Sequence, residues 1–161
     1  IDCRASGRGG HGIPSIVEPD VFEFQKCEAK FVLHVEKGTV WNRFNEDRFW
    51  EKNNCILTHG GGQPPRGVRR LLQRFNQELK LPIICVLDCD PWGHYIYSVI
   101  KRAKEIAAYP WFQEHKGWQT EIDLMLRNGF KMEVESLVQR GISFVTEEYV
   151  PQRLKAKDWL E

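Results

Sequence analysis

Three short apolar runs, FVLHVE (31–36), NCILTHG (54–60) and PIICVLD (82–88), restrict the fold more than any other feature of the chain. Each has the length of a strand, and glycine, proline or charge bounds each one. Between the first two, WNRFNEDRFWEKN (41–53) spaces Trp41, Phe44, Arg48 and Phe49 at helical intervals. Between the second and third, Val68, Leu71, Leu72, Phe75 and Leu79 do the same after Pro64 and Pro65, and proline suits a first helical turn. Strands alternating with helices at this spacing predict βαβ units, hence an α/β fold with a parallel sheet and helices on both faces. PIICVLD is apolar on both faces, the pattern of a central strand, and Pro91 stops its ladder. Residues 92–108 return to helical spacing. Further on, Ile122, Met125, Leu126, Val134, Leu137 and Val138 form an apolar stripe, ISFVTEEYV (142–150) predicts a late strand, and PQRLKAKDWL (151–160) a closing helix.

A length of 161 residues suits one domain with a single core. The formal net charge is +1, so any contact with nucleic acid must come from a local patch. No apolar run approaches the roughly 20 residues that cross a bilayer, and IDCRASGRGG lacks the apolar core of a signal peptide. A cytosolic protein is expected. Residues 1–20, rich in glycine, proline and charge, predict a loop or entry linker. The five cysteines are odd in number and include no CxxC pair. Cys55, Cys85 and Cys89 lie in or beside apolar runs, where a reduced thiol acts as a small hydrophobe.

The acids gather at strand ends. Glu36 closes the first run; Asp88 and Asp90 close the third, with Cys89 between them. Residues i and i+2 of an extended segment share a face, so both aspartates point one way and Cys89 the other. If the first and third strands are neighbours, three carboxylates converge at one edge of the sheet, where ligands of open parallel sheets bind. Like charges that close repel unless a cation lies among them. Hard oxygen donors suit Mg2+, which stabilises the oxygens of a phosphoryl transfer. Solvated acids at strand ends are the plainer reading of the same pattern.

Other residues carry two readings each. Arg66, Arg69, Arg70 and Arg74 share a helical face that either contacts DNA phosphates or is simply solvated. Gly60, Gly61 and Gly62 either bring backbone N–H groups to a phosphate or make a tight turn. His34 and His59 are scattered, and His94, which follows DPWG, is a weak metal ligand for a hard cation. The six tryptophans read as packing residues.

VEKGTVWNRF (35–44), NCILTHGGGQPPRGVRRLL (54–72), LDCDPWGHYIYSVI (87–100) and GISFVTEEYVPQRLKAKDWL (141–160) resemble the DNA-cleaving component of type IIB DNA topoisomerases, the topoisomerase VI kind, a family that shares ancestry with the meiotic double-strand-break transesterase. The resemblance covers nearly the whole chain. It implies the Toprim fold, a Rossmann-like parallel sheet flanked by helices, here with a mostly helical C-terminal extension. It also implies Mg2+ held by Glu36, Asp88 and Asp90, with Glu36 as general acid/base. The implied partners are double-stranded DNA, a second copy of the cleaving component in a homodimer, and the ATP-hydrolysing component of topoisomerase VI; the implied setting is the nucleoid of a prokaryotic cytoplasm.

Three departures stand out. Gly38 and Thr39 follow VEK where the family commonly has an acid. Tyr95, Tyr97, Tyr109 and Tyr149 do not match the motif of the nucleophilic tyrosine, which the family carries in a winged-helix domain before Toprim; residues 1–26 then read as the linker from that domain and 27–161 as Toprim with its extension. Family members also continue after YIYSV with a further segment, whereas here Ile100 meets Lys101 directly. Residues omitted at that point, and a spatial gap there, are expected. A Toprim-type nuclease or primase, or a degenerate Toprim serving as a dimerisation module, are the competing functions.

Overall fold

In the computed structural model, residues 9–101 and 139–157 are described, together with 3, 5, 7 and 137. The chain divides into two compact units, Ile1–Val86 and Leu87–Glu161.

The first unit is built on three parallel strands: β1 (Phe31–Val35), β2 (Cys55–His59) and β3 (Ile83–Val86), in the order β2-β1-β3. The first and third strands are therefore neighbours, as the convergence of acids requires. Val32 to Val35 pair with Ile83 to Val86, and Phe31 to Val35 pair with Cys55 to His59. Among the described residues the middle strand is β1, with β3 on one side of it. Val32, Leu33, His34 and Val35 are buried, whereas every residue of β3 is only half-buried. Apolarity on both faces of a run reports burial from above and below, and does not say whether a strand lies on each side.

β1 leads through α1 (Gly38–Glu46) and α2 (Phe49–Asn53) to β2, and β2 through α3 (Arg66–Leu79) to β3. Because β2 and β3 flank β1 on opposite sides, right-handed crossovers put α1 and α2 on one face and α3 on the other. The predicted helix over 41–53 is two helices. Arg43 pairs with Asp47 at the end of α1, and Arg48 turns left-handed with φ 51°. That turn packs Phe44 and Phe49 edge to face at 4.9 Å, both buried.

Arg74 ties residues 17–22 to α3. Its side chain is 2% exposed; it donates to the carbonyls of Val17 (2.6 Å) and Phe22 and to Glu78, and its guanidinium lies 4.7 Å from the Phe24 ring. A buried guanidinium is tolerated because its donors are satisfied.

In the second unit α4 spans Pro91–Lys101. Ile100 and Lys101 are the last two residues of that helix. The late strand expected over 142–150 is corrected. Val145–Tyr149 is a π-helical turn that runs into α5 (Val150–Ala156). Val145, Thr146 and Val150 are buried, a helical spacing that the β-branched and aromatic composition of FVTEEYV conceals. The closing helix agrees with α5 as far as Ala156. Apart from Leu137, the stripe from Ile122 to Val138 lies outside the described residues, as does 102–108 of the preceding helical segment.

Candidate metal-binding acids and their surroundings

Glu36 follows the last residue of the middle strand, and strand alternation gives it the face shared by Val32 and His34. It is 7% exposed. Its backbone is held from two sides: its N–H donates to the Val86 carbonyl at 3.0 Å, and its carbonyl accepts the Gly62 N–H at 3.0 Å. The glycine-rich loop after β2 therefore folds back over the end of β1. Gly62 makes that bond with φ +99°, a conformation that a side chain would oppose. The loop is a tight turn.

On the same sheet face His34 is fully buried, and its Nδ1 lies 3.0 Å from the Thr58 hydroxyl. Burial, with repulsion from His59 second, pushes its pKa down to about 4, so the ring is neutral at physiological pH. The His59 ring lies 4.9 Å from that of Trp41. All five cysteines are free thiols, and burial pushes those of Cys55 and Cys85 up to about 12, as inert core cysteines require.

In the second unit Asp88 and Asp90 are each 7% exposed while Cys89 is half-buried, the alternation expected of DCD. The structure adds a role that the spacing did not suggest. Asp90 caps α4: its Oδ1 accepts the Gly93 N–H at 2.7 Å, and its carbonyl accepts the His94 N–H at 3.1 Å. Asp at the N-cap followed by Pro91 at the first position is a standard helix start, legible in the string DPWG. A Cβ on Gly93 would lie 2.0 Å from the Asp88 carbonyl oxygen. Only glycine lets the helix approach the aspartates this closely.

The three carboxylates fit a hard cation in donor type and burial: all are oxygen donors, all nearly enclosed, and buried carboxylates require compensation. Among the described residues no three His, Cys, Asp or Glu side chains are gathered into a metal-sized cluster.

The arginine face of α3 is not an open basic surface. Arg74 is buried, as described above. Arg70 donates to the Glu18 carboxylate through Nε at 2.9 Å and a terminal nitrogen at 2.7 Å, which holds the Glu18 pKa below its usual range. Arg69 is half-buried; Arg66 is 81% exposed and 3.9 Å from Glu18. The four residues share a helix, but the acidic segment 17–22 engages Arg70 and Arg74. Its Glu18 lies 52 positions from Arg70, beyond the reach of local pattern.

Residues 31–109 and 100–154 match the family model of the Toprim domain of Spo11 and the topoisomerase 6 A-type chain. Among curated proteins, the chain is 30% identical over 217 aligned residues to the A-type chain of type 2 DNA topoisomerase 6 from Aeropyrum pernix, covering 100% of this chain and 55% of that protein. It is 32% identical to the Natronomonas pharaonis protein of the same name, with 96% and 53% covered. It is 30% identical to the A3-type chain of DNA topoisomerase 6 from Oryza sativa subsp. indica, with 99% and 46% covered. The chain thus spans about half the length of these relatives. An alignment of 217 residues against a chain of 161 also means that the relatives carry positions within the matched region that this chain lacks.

Proposed function

The chain belongs to the Toprim family of Spo11 and the topoisomerase 6 A-type chain, and from that premise we propose that it is the metal-binding part of the DNA-cleaving component of an ATP-dependent type II DNA topoisomerase. Glu36, Asp88 and Asp90 hold Mg2+ for transesterification at DNA phosphates. One observation carries this reading. The Glu36 N–H is bonded to the carbonyl of Val86, the last residue of β3, and two peptide units span at most about 7 Å from there to Asp88. When bound, Mg2+ supplies charge stabilisation to the oxygens of the phosphoryl transfer.

The chain's own residues then divide the work. Asp88 and Asp90 offer hard oxygens, with Asp90 oriented by its bond from the Gly93 N–H. Glu36 acts as general acid/base, exchanging a proton with the reacting hydroxyl as strands are cut and rejoined; its fixed backbone keeps that carboxylate in register with β3. Partners under this reading are double-stranded DNA, a second cleaving chain in a homodimer and the ATP-hydrolysing component of topoisomerase VI. Of the arginine candidates, Arg66 is the most available for DNA phosphate.

Calorimetric titration tests the proposal. Mg2+ is expected to bind the chain, and Asp88→Ala to abolish binding while the thermal melt keeps its cooperativity. Mg2+ binding that is unchanged in Asp88→Ala and in Glu36→Gln would remove these residues from the site.

A further inference from the structure

α4 begins with an aromatic residue that the fold does not hide. Trp92 is 66% exposed, unusual for a side chain with so much apolar area. Its ring stacks on that of Tyr95, 39% exposed, at 5.3 Å between centroids and 24° between planes. The residues are three apart and share one helical face. Ile96, one turn beyond Trp92, is 3% exposed and belongs to the core, so the helix is anchored next to the exposed pair. The first turn is fixed as well, by the Asp90 cap on Gly93 and by the close approach of Gly93 to the Asp88 carbonyl. The aromatic pair therefore stands at a fixed position beside Asp88 and Asp90, within one unit.

We propose that Trp92, backed by Tyr95, is a positioning residue that stacks on a nucleobase exposed at a DNA strand interruption beside the Asp88–Asp90 turn. This rests on the metal-site reading above, which brings a DNA phosphate to those aspartates. The pair carries no charge, so a phosphate is not its ligand; a flat apolar ring with an open face matches a base. In an intact duplex each base face is covered by its neighbour, so a ring can enter only where the stack is opened. A cut strand supplies such an opening next to the phosphate that was cleaved.

Fluorescence anisotropy with the 161-residue chain, Mg2+ and two DNA dumbbells of one sequence, sealed or carrying a single central nick, provides the test. The chain is expected to bind the nicked dumbbell about tenfold more tightly than the sealed one, the scale of one base–aromatic stack. Trp92→Ala should bring that ratio to about one, and Trp92→Phe should restore most of it. A preference for the nick that survives Trp92→Ala overturns the proposal; if sedimentation then shows weaker self-association in that variant, the surface belongs to a second copy of the chain. Asp88→Ala separates the two readings. Binding that is insensitive to Mg2+ and to Asp88→Ala sinks the metal site, while the Trp92 ratio is judged on its own. Binding to neither dumbbell sinks both.

Discussion

His34 is a titratable ring in the centre of the sheet, and its environment sets a pH limit on the fold. Burial lowers its pKa from 6.5 to about 4. The folded chain thus keeps the ring neutral where the unfolded chain would protonate it. Stability is fully present above pH 6.5 and falls as pH drops from there toward 4, by up to roughly 3 kcal/mol at the lower end. Urea midpoints measured from about pH 7.5 to 4.5 should show this slope, and His34→Gln, which keeps a polar partner for Thr58, should flatten it. An unchanged slope in the variant would assign the acid sensitivity to other groups. Gly93 gives a second residue-scale expectation. An alanine there must displace the Asp88 carbonyl or the first turn of α4, since its Cβ would lie 2.0 Å from that oxygen. Overpacking of this kind costs roughly 1–3 kcal/mol, and a thermal melt reads it. A melting temperature equal to that of the parent would mean that the turn yields freely and does not fix the aspartates.

At the scale of elements, the sequence was readable wherever one period dominated. The three strands, α3 and the start of α4 follow from strand length, from helical spacing and from prolines at helix starts. Three features were not readable, each for its own physical reason. The break between α1 and α2 depends on a left-handed Arg48, a conformation that no residue type announces except glycine or asparagine. The helix over 144–156 opens with residues of high β-propensity, and tertiary burial of Val145, Thr146 and Val150 overrides that propensity. The middle position of β1 depends on pairing order, which composition does not encode. Of the candidate site, the strand-end acids and the DCD alternation were legible, whereas the engagement of Arg70 and Arg74 was not, because its partners are distant in sequence. α4 also bears on the Ile100–Lys101 junction. If the helix is contiguous, trypsin should release Leu81–Lys101 as a single peptide, because no lysine or arginine interrupts it. Mass spectrometry that fails to find this peptide, and finds instead a longer or differently ended one beginning at Leu81, would show that residues intervene.

For the molecule as a whole, the proposed chemistry divides between a metal-binding part and a nucleophile, and a nucleophile inside this chain would have to be one of its four tyrosines. Tyr95 stacks on Trp92, Tyr97 is half-buried in α4, and Tyr149 lies in the π-helical turn, with Phe144 at 6.2 Å and the Arg153 guanidinium at 5.2 Å. Tyr109 lies outside the described residues. A nucleophilic tyrosine needs a base or a cation aimed at its oxygen and a phosphate in line with it. The rings of Tyr95 and Tyr149 are engaged in aromatic or cation–π contacts. The expected outcome is therefore that these 161 residues, given supercoiled plasmid, Mg2+, ATP and the ATP-hydrolysing component, bind DNA but leave it uncut and unlinked. The measurement is retention of labelled DNA on protein after strong denaturant, with protease digestion as the control for a covalent link. A denaturant-resistant, protease-sensitive adduct would place the nucleophile inside this chain, and single Tyr→Phe variants would then identify it. Absence of the adduct, together with Mg2+ binding that depends on Asp88, would assign metal chemistry to this chain and strand attack to a tyrosine outside it.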